Sequence, residues 1–381
     1  MNNRNSRLTV VSLFSGAGGL DLGLEAAGFE TIYATDIDFH SCETLRMNKA
    51  RQTQGRRSPL ANAQIEQADL SETDGKSLLK KIGCSRGEVD LLAGGPPCQA
   101  FSVFGKRLGE DDPRGRLVYD YARILSDIQP KAFVLENVFG MLSVQGGQIF
   151  QGLIDLLQNP TRGLQYRLSV HRVNAMDYGV PQHRDRVFII GSRADREVLS
   201  IPALCATKGS SLLTDDLLPH RTVAHALRGL PRIGSSKAFN HSGRSHSERI
   251  RKRYAEMGPG ERDSFTRINR LDLTRPSYTI IVGSDKGGGK GHVHPTEPRE
   301  VTPRESARMQ TFPDWWEFSG TGRHVIRQVG NAVPSLLGYS VGAAIMRDLF
   351  DVRPTTFAEA VEFLGQEHLF PELFSRKSVA S

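Results

Sequence analysis

Cys98 is the residue best suited to covalent chemistry, and it stands in the run Gly95-Pro96-Pro97-Cys98-Gln99. Two prolines before it stiffen the backbone and fix the direction of the thiol. Cysteine is a good nucleophile only as the thiolate, so it needs basic neighbours or a helix-terminal dipole to lower its pKa. Most isolated cysteines are inert core residues, and the run by itself favours that interpretation. The four cysteines lie far apart without a Cys-x-x-Cys pair, so we expect neither a metal site nor a disulfide framework.

Three other polar features could assist a nucleophile. Glu136 follows an apolar stretch, and a buried carboxyl there could donate a proton to a heterocycle, although a structural ion pair is an equal alternative. Arg184 and Arg186 are two residues apart, which predicts that they share one face of an extended segment. Their guanidinium groups would suit base oxygens or phosphates, and the plain alternative is two surface arginines. The glycine-rich and charged loop 99–116 predicts a mobile lid.

A glycine-rich turn, Ser15-Gly16-Ala17-Gly18-Gly19, separates a predicted strand from a predicted helix. Asp36 follows Gly16 by 20 residues, where a carboxylate suits the hydroxyl pair of a ribose. Asp21 occupies the position of the third glycine in a Gly-x-Gly-x-x-Gly loop, so a nucleoside-type cofactor is favoured over a dinucleotide. The alternative is a tight turn that any α/β protein could contain.

The elements that must position these residues alternate between strands and helices. Short apolar runs predict strands, at 8–14, 31–35, 89–93, 131–135 and 186–191. This alternation predicts an α/β fold with a doubly wound, Rossmann-like, mostly parallel sheet and ligands at the carboxyl ends of its strands. We predict a catalytic and cofactor-binding domain at 1–192 that is completed by 326–350. The other predicted units are a smaller irregular domain at 193–300, a connecting hinge at 301–325 and a C-terminal helical appendage at 351–381.

The positive charge of the chain is confined to one segment. The 381 residues include 49 Lys+Arg and 42 Asp+Glu, a net charge of +7. Residues 193–300 contain 19 basic and 12 acidic residues, so the remainder holds 30 of each and is balanced. This excess predicts a surface that faces a polyanion, although an arginine-rich solvated surface is the plain alternative. No apolar run reaches the length of a membrane span, and the first residues lack the apolar centre of a secretory signal, so we expect a cytoplasmic protein that does not bind membranes.

Taken in order, these runs resemble the DNA (cytosine-5)-methyltransferase family, of the bacterial restriction-modification type. The similar segments span residue 8 to about residue 345. They are Phe14-Ser15-Gly16-Ala17-Gly18-Gly19, Asp36, Asp69, Gly95-Pro96-Pro97-Cys98-Gln99-Ala100-Phe101-Ser102, Asp112-Pro113-Arg114-Gly115-Arg116-Leu117, Glu136-Asn137-Val138, Gln182 with Arg184 and Arg186, Thr302-Pro303-Arg304-Glu305 through Phe312-Pro313, and Gly330-Asn331-Ala332-Val333-Pro334.

The resemblance implies an S-adenosylmethionine-dependent methyltransferase fold with the cofactor at the glycine turn. It implies that Phe14 lies against the adenine, Asp36 binds the ribose and Asp69 lies near the adenine amine. The other positions it assigns to the cofactor pocket are Gly16, Gly18, Gly19, Ile37, Leu70, Pro97, Leu117, Asn331 and Ala332.

The resemblance also implies a covalent mechanism. Cys98 would add to carbon 6 of cytosine while Glu136 hydrogen-bonds or protonates the adjacent ring nitrogen. Arg186, with Arg184 nearby, would hold the base and offset charge on its carbonyl. The target base must leave the helix to reach such a site. Residues 193–300 would read double-stranded DNA in the major groove, and the lid after Cys98 would close over the base. We further expect a monomer with a cognate restriction endonuclease as a functional partner. The DNA site is not indicated.

Other protein classes fit less well. A tRNA-directed member of the same fold would keep the cysteine and arginine motifs, but its Cys-Phe-Thr run is absent. An adenine or exocyclic-amine methyltransferase would carry an Asp/Asn-Pro-Pro-aromatic run, and this chain has none. A nicotinamide oxidoreductase would carry the third glycine of the Gly-x-Gly-x-x-Gly loop, where this chain has Asp21. A non-catalytic DNA-binding relative would lack Cys98 or Glu136, and both are present.

Overall fold

The computed structural model describes most of the chain. The described residues are 7–49, 51, 57–97, 113–206, 217–235, 237–280, 282 and 291–375, with the side chains of 113–116 and 143–146 excepted.

A seven-stranded sheet forms the centre of the molecule, in the order β3-β2-β1-β4-β5-β7-β6. The strands are β1 Thr9–Leu13, β2 Glu30–Asp36, β3 Gln64–Gln67, β4 Leu91–Gly94, β5 Ala132–Val138, β6 Arg167–Asn174 and β7 Asp185–Ser192. Six of these strands run in the same direction. The seventh, β7, runs in the opposite direction and is antiparallel to β5 and β6. The mostly parallel α/β sheet that the sequence predicts is therefore confirmed.

Helices cover both faces of the sheet. They are α1 Gly19–Ala27, α2 Phe39–Asn48, α3 Gly75–Ile82, α4 Pro113–Ile128, α5 Gln148–Gln158, α6 Val223–Leu227, α7 Glu248–Glu256, α8 Pro303–Met309, α9 Gly322–Asn331, α10 Ser335–Phe350, α11 Phe357–Phe363 and α12 Pro371–Phe374. Two 3₁₀ segments, Phe139–Gly147 and Ala175–Tyr178, and a small parallel pair, β8 Cys205–Ala206 with β9 Leu218–Pro219, complete the described elements.

Alternate residues of each strand enter two separate cores, as the two-residue period of a strand requires. In β1, Val10 packs in the core that α1 and α10 share, whereas Val11 and Leu13 pack in the core beneath α3, α4 and α5. This double burial explains why the central strands are continuous apolar runs.

Helices α1 and α10 pack with their backbones in close approach. A Cβ atom at Gly23 would lie 2.5 Å from the carbonyl oxygen of Ser335 and 2.6 Å from the Cα of Gly338. The stretch Gly322–Phe350 is also the one described helical stretch long and apolar enough to cross a membrane, but 89% of its most apolar window is buried inside the protein. This stretch comprises α9 and α10, and it belongs to the core of the protein.

The segment after β7 has little regular structure, as expected. Its first part packs against the main core through Val198, Ile201, Val223 and Ala226. A separate small core, formed by Tyr254, Met257, Ile268 and Val293, holds its later part together. The division into domains at 193 and 300 stays a prediction.

Three features differ from the sequence-based expectation. Strand β3 was not predicted because its sequence, QIEQ, is polar and half exposed at the sheet edge. Strand β6 was not predicted because it is an edge strand with only one fully buried residue, Val173. The C-terminal segment is helical, but it is more than an appendage, since Ala360, Leu369 and Phe370 are fully buried in the main core.

Candidate active site

The ends of four neighbouring strands place the candidate site residues in one row. Residue pairing aligns Leu13 with Thr35 of β2 and with Gly94 of β4, and aligns Gly94 with Leu135 of β5. The next residue along each of these strands is therefore Phe14, Asp36, Gly95 or Glu136. The parallel sheet brings the predicted cofactor and catalytic segments to the same edge, as expected for this fold.

Glu136 and Arg186 form a buried ion pair at this edge. The Nε of Arg186 lies 2.7 Å from Oε1 of Glu136, and each side chain is only 11% exposed. The antiparallel pairing of β5 and β7 causes this meeting, because it sets Arg186 opposite Val138, two residues from Glu136. A carboxylate and a guanidinium held side by side can present an acceptor and donors to one planar heterocycle.

Asn137 fixes the segment that leads to the candidate nucleophile. Its Nδ2 donates a hydrogen bond of 2.8 Å to the carbonyl oxygen of Pro96, and the side chain is buried. A Cβ atom at Gly95 would lie 3.1 Å from Oε2 of Glu136, so a glycine there permits the close approach of the two strand ends. Cys98 follows the exposed Pro97 directly; it and the predicted lid through residue 112 lie outside the described residues.

Arg184 has a different environment from Arg186. It is 1% exposed and donates to the carbonyl oxygens of Gly330 and Ala332, at 2.9 Å and 3.0 Å. Burial, together with the nearby charge of Arg186, holds the pKa of Arg184 well below its usual range. The two arginines therefore do not act side by side: Arg186 meets Glu136, while Arg184 ties the start of β7 to the segment after α9.

The glycine turn is shaped mainly by protein packing. Gly18 has a φ of +82°, and a Cβ there would lie 2.7 Å from the side chain of Leu45. A Cβ at Gly19 would lie 2.2 Å from the carbonyl oxygen of Val333, so the segment after α9 rests directly on this turn. Gly16 differs, because the space within 4 Å of its Cβ position is open. A ligand can thus approach the backbone at Gly16.

Asp36 organises the end of β2. Its Oδ2 accepts from the backbone N–H of Gly16 at 2.9 Å, and its Oδ1 accepts from that of Asp38 at 2.8 Å. Burial raises the pKa of Asp36 above its ordinary value, and the two backbone donors partly oppose this. The carboxylate therefore links the glycine turn to β2 and keeps free lone pairs that could accept from ribose hydroxyls.

The groups around this carboxylate suit an adenosine moiety. Ile37 is 64% exposed although it is apolar, which leaves an uncovered hydrophobic face beside Asp36. Asp69, Pro97 and Asn331 are exposed, and Phe14 and Leu117 are partly buried at the same end of the sheet. A nucleoside site needs apolar side chains that cover the base and carboxylates that accept hydrogen bonds from the sugar hydroxyls. The Leu70 side chain instead packs in the core, and Ala332 is buried, so their side chains are placed less favourably for a ligand than the resemblance implies.

Asp21 carries a buried carboxyl group. In the sequence it is notable only because it stands where a Gly-x-Gly-x-x-Gly loop would have its third glycine. It is fully buried at the start of α1, and neither carboxyl oxygen has a hydrogen-bond partner within the described structure. Burial raises the pKa of Asp21 from 3.8 to about 7; the nearby Ser12 hydroxyl and its own backbone N–H partly oppose this, and the charges of Glu25 and Asp36 add to it.

The run that begins at Thr302 has a structural role. Thr302 and Glu305 form a reciprocal cap at the start of α8. The guanidinium of Arg308 donates to the carbonyl oxygens of Ala226 and Arg228 at 2.9 Å and 2.7 Å. This run therefore joins the irregular segment to the main body. Within the described chain no three metal-ligating side chains come together in a cluster.

The order of the sheet and the glycine turn with its acidic partner define the class of S-adenosylmethionine-dependent methyltransferases. A family model for C-5 cytosine-specific DNA methylases matches residues 8–347, so the chain belongs to that family. It is a C-5 cytosine DNA methyltransferase of the restriction-modification type that uses S-adenosylmethionine as cofactor.

Similar proteins cover nearly the whole chain. Type II methyltransferase M.XorII from Xanthomonas oryzae pv. oryzae is 33% identical, over 89% of this chain and 84% of the relative. M.PspPI from Psychrobacter sp. is 35% identical, over 90% and 79% respectively. A solved structure from E. coli, described as a prophage-encoded DNA modification methyltransferase, has a TM-score of 0.68 at 28% identity and covers 89% of this chain and 99% of its own. The S. pombe Dnmt2 methyltransferase has a TM-score of 0.59 at 18% identity, covers 90% and 99%, and supports the fold alone.

Proposed function

We propose that the enzyme methylates carbon 5 of a flipped-out cytosine in a specific double-stranded DNA site through a covalent adduct on Cys98. The buried Glu136–Arg186 pair beside the end of β4 carries this proposal. Pro97 is the last described residue after β4, and Cys98 follows it directly in the chain. The hydrogen bond from Asn137 to the Pro96 carbonyl oxygen holds this segment next to Glu136.

In this mechanism each side chain has a separate task. The Cys98 thiolate adds to carbon 6, which makes carbon 5 nucleophilic. Glu136 takes up a proton from solvent and donates it, as a hydrogen bond or by transfer, to the ring nitrogen, while Arg186 donates to the ring carbonyl, where negative charge develops. Bound S-adenosylmethionine supplies an electrophilic methyl group. Once carbon 5 carries the methyl group, its proton is lost to water, the electrons of the Cys98–carbon-6 bond return to sulfur as the thiolate, and the ring nitrogen returns its proton to Glu136. Arg184 is a positioning residue in this scheme, because its contacts are to backbone carbonyls.

For the cofactor we propose a pocket between the glycine turn and the ends of β2, β3 and β4. Asp36 would accept from the ribose hydroxyls, and Phe14 and Ile37 would cover the adenine. Asp69 would accept from the adenine amine, and Asn331 would close the pocket from the end of α9. The open space at Gly16 and the exposure of Ile37 support this assignment.

The biological setting follows from the relatives, which are named as Type II methyltransferases. We propose that the enzyme acts as a cytoplasmic monomer and protects host DNA from a cognate restriction endonuclease. Residues 193–300 would form the target-recognition domain, in line with the location of the +7 charge.

Replacement of the proposed nucleophile tests the mechanism. Cys98→Ser should abolish methyl transfer to DNA, while the affinity for S-adenosylmethionine stays within about twofold of wild type. DNA with 5-fluorocytosine at the target should trap the wild-type enzyme in a covalent complex, because fluorine cannot leave as a proton does. Bisulfite sequencing of treated DNA would first identify the target. Normal turnover by the Cys98→Ser enzyme, or no trapped complex with active wild type, would refute the covalent mechanism.

A further inference from the structure

Residues 260–270 form a short hairpin that projects from the irregular segment. Arg270 N–H donates to the Glu261 carbonyl at 2.8 Å, and Gly260 N–H donates to the Arg270 carbonyl at 3.0 Å. Nearer the tip, Asp263 N–H donates to the Ile268 carbonyl at 2.8 Å. The tip carries Phe265, which is 80% exposed and is the most exposed large hydrophobic residue described. Single exposed apolar side chains are common on protein surfaces. Phe265 is distinguished by its position on a held turn among cations.

The tip is held rigidly even though its aromatic ring is in solvent. Asp263 is buried, accepts from the backbone N–H of Thr266 at 2.6 Å, and forms an ion pair of 2.8 Å with Arg253 of α7. The guanidinium carbon of Arg253 lies 5.3 Å from the centroid of the Phe265 ring. The turn that carries the ring is thus held in one conformation. This lowers the conformational entropy that would be lost when the ring binds a partner.

The base of the hairpin is anchored to α7. Arg270 is buried and donates to the carbonyl oxygens of Tyr254 and Met257 at the end of that helix, at 2.6 Å and 3.1 Å. Ile268 packs with the same two residues in the small third core. Helix and hairpin therefore move as one unit.

This unit is rich in unpaired positive charge. Residues 244–275 contain nine Lys+Arg and five Asp+Glu, a net charge of +4 out of the +7 of the whole chain. Five of these cations are exposed and form no ion pair with another described residue: Arg249, Arg251, Lys252, Arg262 and Arg267. An exposed aromatic ring among such cations complements a nucleic acid, whose phosphates bind the cations and whose bases offer apolar edges.

Contacts run from the hairpin to the candidate active site. The Tyr278 hydroxyl donates to the Gly260 carbonyl at 3.3 Å, and the Thr279 hydroxyl donates to the His183 carbonyl at 2.7 Å. His183 N–H donates in turn to the Ser277 carbonyl at 2.8 Å. Since His183 is three residues from Arg186, the hairpin is connected to β7, the strand that carries Arg186 of the proposed catalytic pair.

We propose that hairpin 260–270 reads the DNA target, with Phe265 in apolar contact with base edges of the recognition site. The exposed arginines around it, Arg262 and Arg267, bind phosphates and position the hairpin. Phe265 is thereby a specificity-determining residue. The proposal rests on the function proposed above, because it assumes that the bound polyanion is the DNA that is methylated.

Binding of two duplexes separates base reading from general attraction. One duplex carries the site that bisulfite sequencing identifies for the wild-type enzyme, and the other has the same length without it. Phe265→Ala should weaken binding to the specific duplex by about tenfold and leave binding to the non-specific duplex within twofold. Leu199→Ala is the matched control, since Leu199 is 79% exposed and lies outside the hairpin. It should change neither affinity. The Arg262→Gln, Arg267→Gln double variant should weaken both duplexes alike.

The outcomes are distinct. Unchanged binding of the specific duplex by Phe265→Ala, or equal weakening of both duplexes, would overturn the assignment of Phe265. Phe265 is too exposed for its loss to affect folding, so the variant should keep the thermal midpoint of wild type. If the wild-type enzyme methylates no cytosine in DNA, the proposed function fails by itself, without any variant.

Discussion

At the scale of single residues, buried charge has two different fates in this protein. Glu136 and Arg186 neutralise each other at 2.7 Å. Asp21 has no cationic partner within the described structure, and burial raises its pKa to about 7. A carboxyl in this state stays protonated in mildly acidic solution and must bear an unfavourable charge in alkaline solution.

Asp21→Asn should therefore change the pH dependence of stability. Between pH 3.8 and about 7 the folded state retains a proton that the unfolded state has released, so the folded wild type loses stability as pH rises. The loss is complete above about pH 7, where it amounts to about 4 kcal/mol. Asparagine stays neutral, so the variant should gain stability relative to wild type as pH rises from 5 to 8.

Denaturant unfolding of both proteins at pH 5 and pH 8 measures this difference. Asp195→Asn provides the control, because its ion-paired side chain is 89% exposed and should give no comparable trend. A stability difference between Asp21→Asn and wild type that is the same at both pH values would contradict the prediction.

At the scale of elements, strand pairing decides which polar groups meet. The antiparallel β7 returns beside β5 and brings Arg186 to Glu136, a pairing that a fully parallel sheet would not produce. The segment after α9 is held at two places. The Arg184 guanidinium donates to the carbonyl oxygen of Ala332, and the carbonyl oxygen of Val333 packs against Gly19 of the glycine turn. The proposed catalytic and cofactor segments thus share their supports.

Asn137→Ala tests one of these supports. Loss of the 2.8 Å hydrogen bond should free the Pro96 carbonyl and loosen the segment that carries Cys98. A misplaced nucleophile can slow chemistry by about 100-fold, so kcat should fall strongly. The KM for S-adenosylmethionine should change less than kcat, because Pro97 is the one residue of the proposed cofactor pocket that adjoins the loosened Pro96 carbonyl.

Single-turnover methylation and trapping by 5-fluorocytosine DNA would follow the chemical step directly. Asn159→Ala, an exposed asparagine at the end of α5, is the matched control and should react at the wild-type rate. An unchanged rate of adduct formation in Asn137→Ala would show that the hydrogen bond has no positioning role.

At the scale of the whole molecule, the chain after α10 completes the core. The Phe370 ring is fully buried, stacks edge-on with Phe357 at 5.0 Å and lies beneath the Arg221 guanidinium at 4.5 Å. A Cβ at Gly179 would lie 2.7 Å from this ring, so the C-terminal segment packs tightly against the turn before β7.

Phe370→Ala should therefore destabilise the enzyme by about 3–5 kcal/mol, because it removes a buried ring and leaves a cavity. Phe265→Ala makes the same chemical change at an exposed site and should stay within about 0.5 kcal/mol of wild type. Denaturant unfolding measures both free energies. A loss below about 1 kcal/mol in Phe370→Ala would mean that the segment is an appendage after all.

The sequence by itself determined the order of the central elements and predicted the residues of the candidate site. Apolar runs predicted five of the seven described strands of the central sheet, because strands buried on both faces have a clear pattern. The polar edge strands β3 and β6 were not predicted, since their neighbours in the sheet, and not their own composition, make them strands.

The tertiary structure alone decided what the candidate residues contact. Two arginines at the same spacing could both have held a base, but the fold gives Arg186 a carboxylate and gives Arg184 two backbone carbonyls. Nothing in the local sequence shows that Asn137 binds Pro96, 41 residues away, or that the C-terminal Phe370 enters the core. Long-range contacts depend on how the sheet brings distant segments together, and that arrangement is not encoded in any one segment.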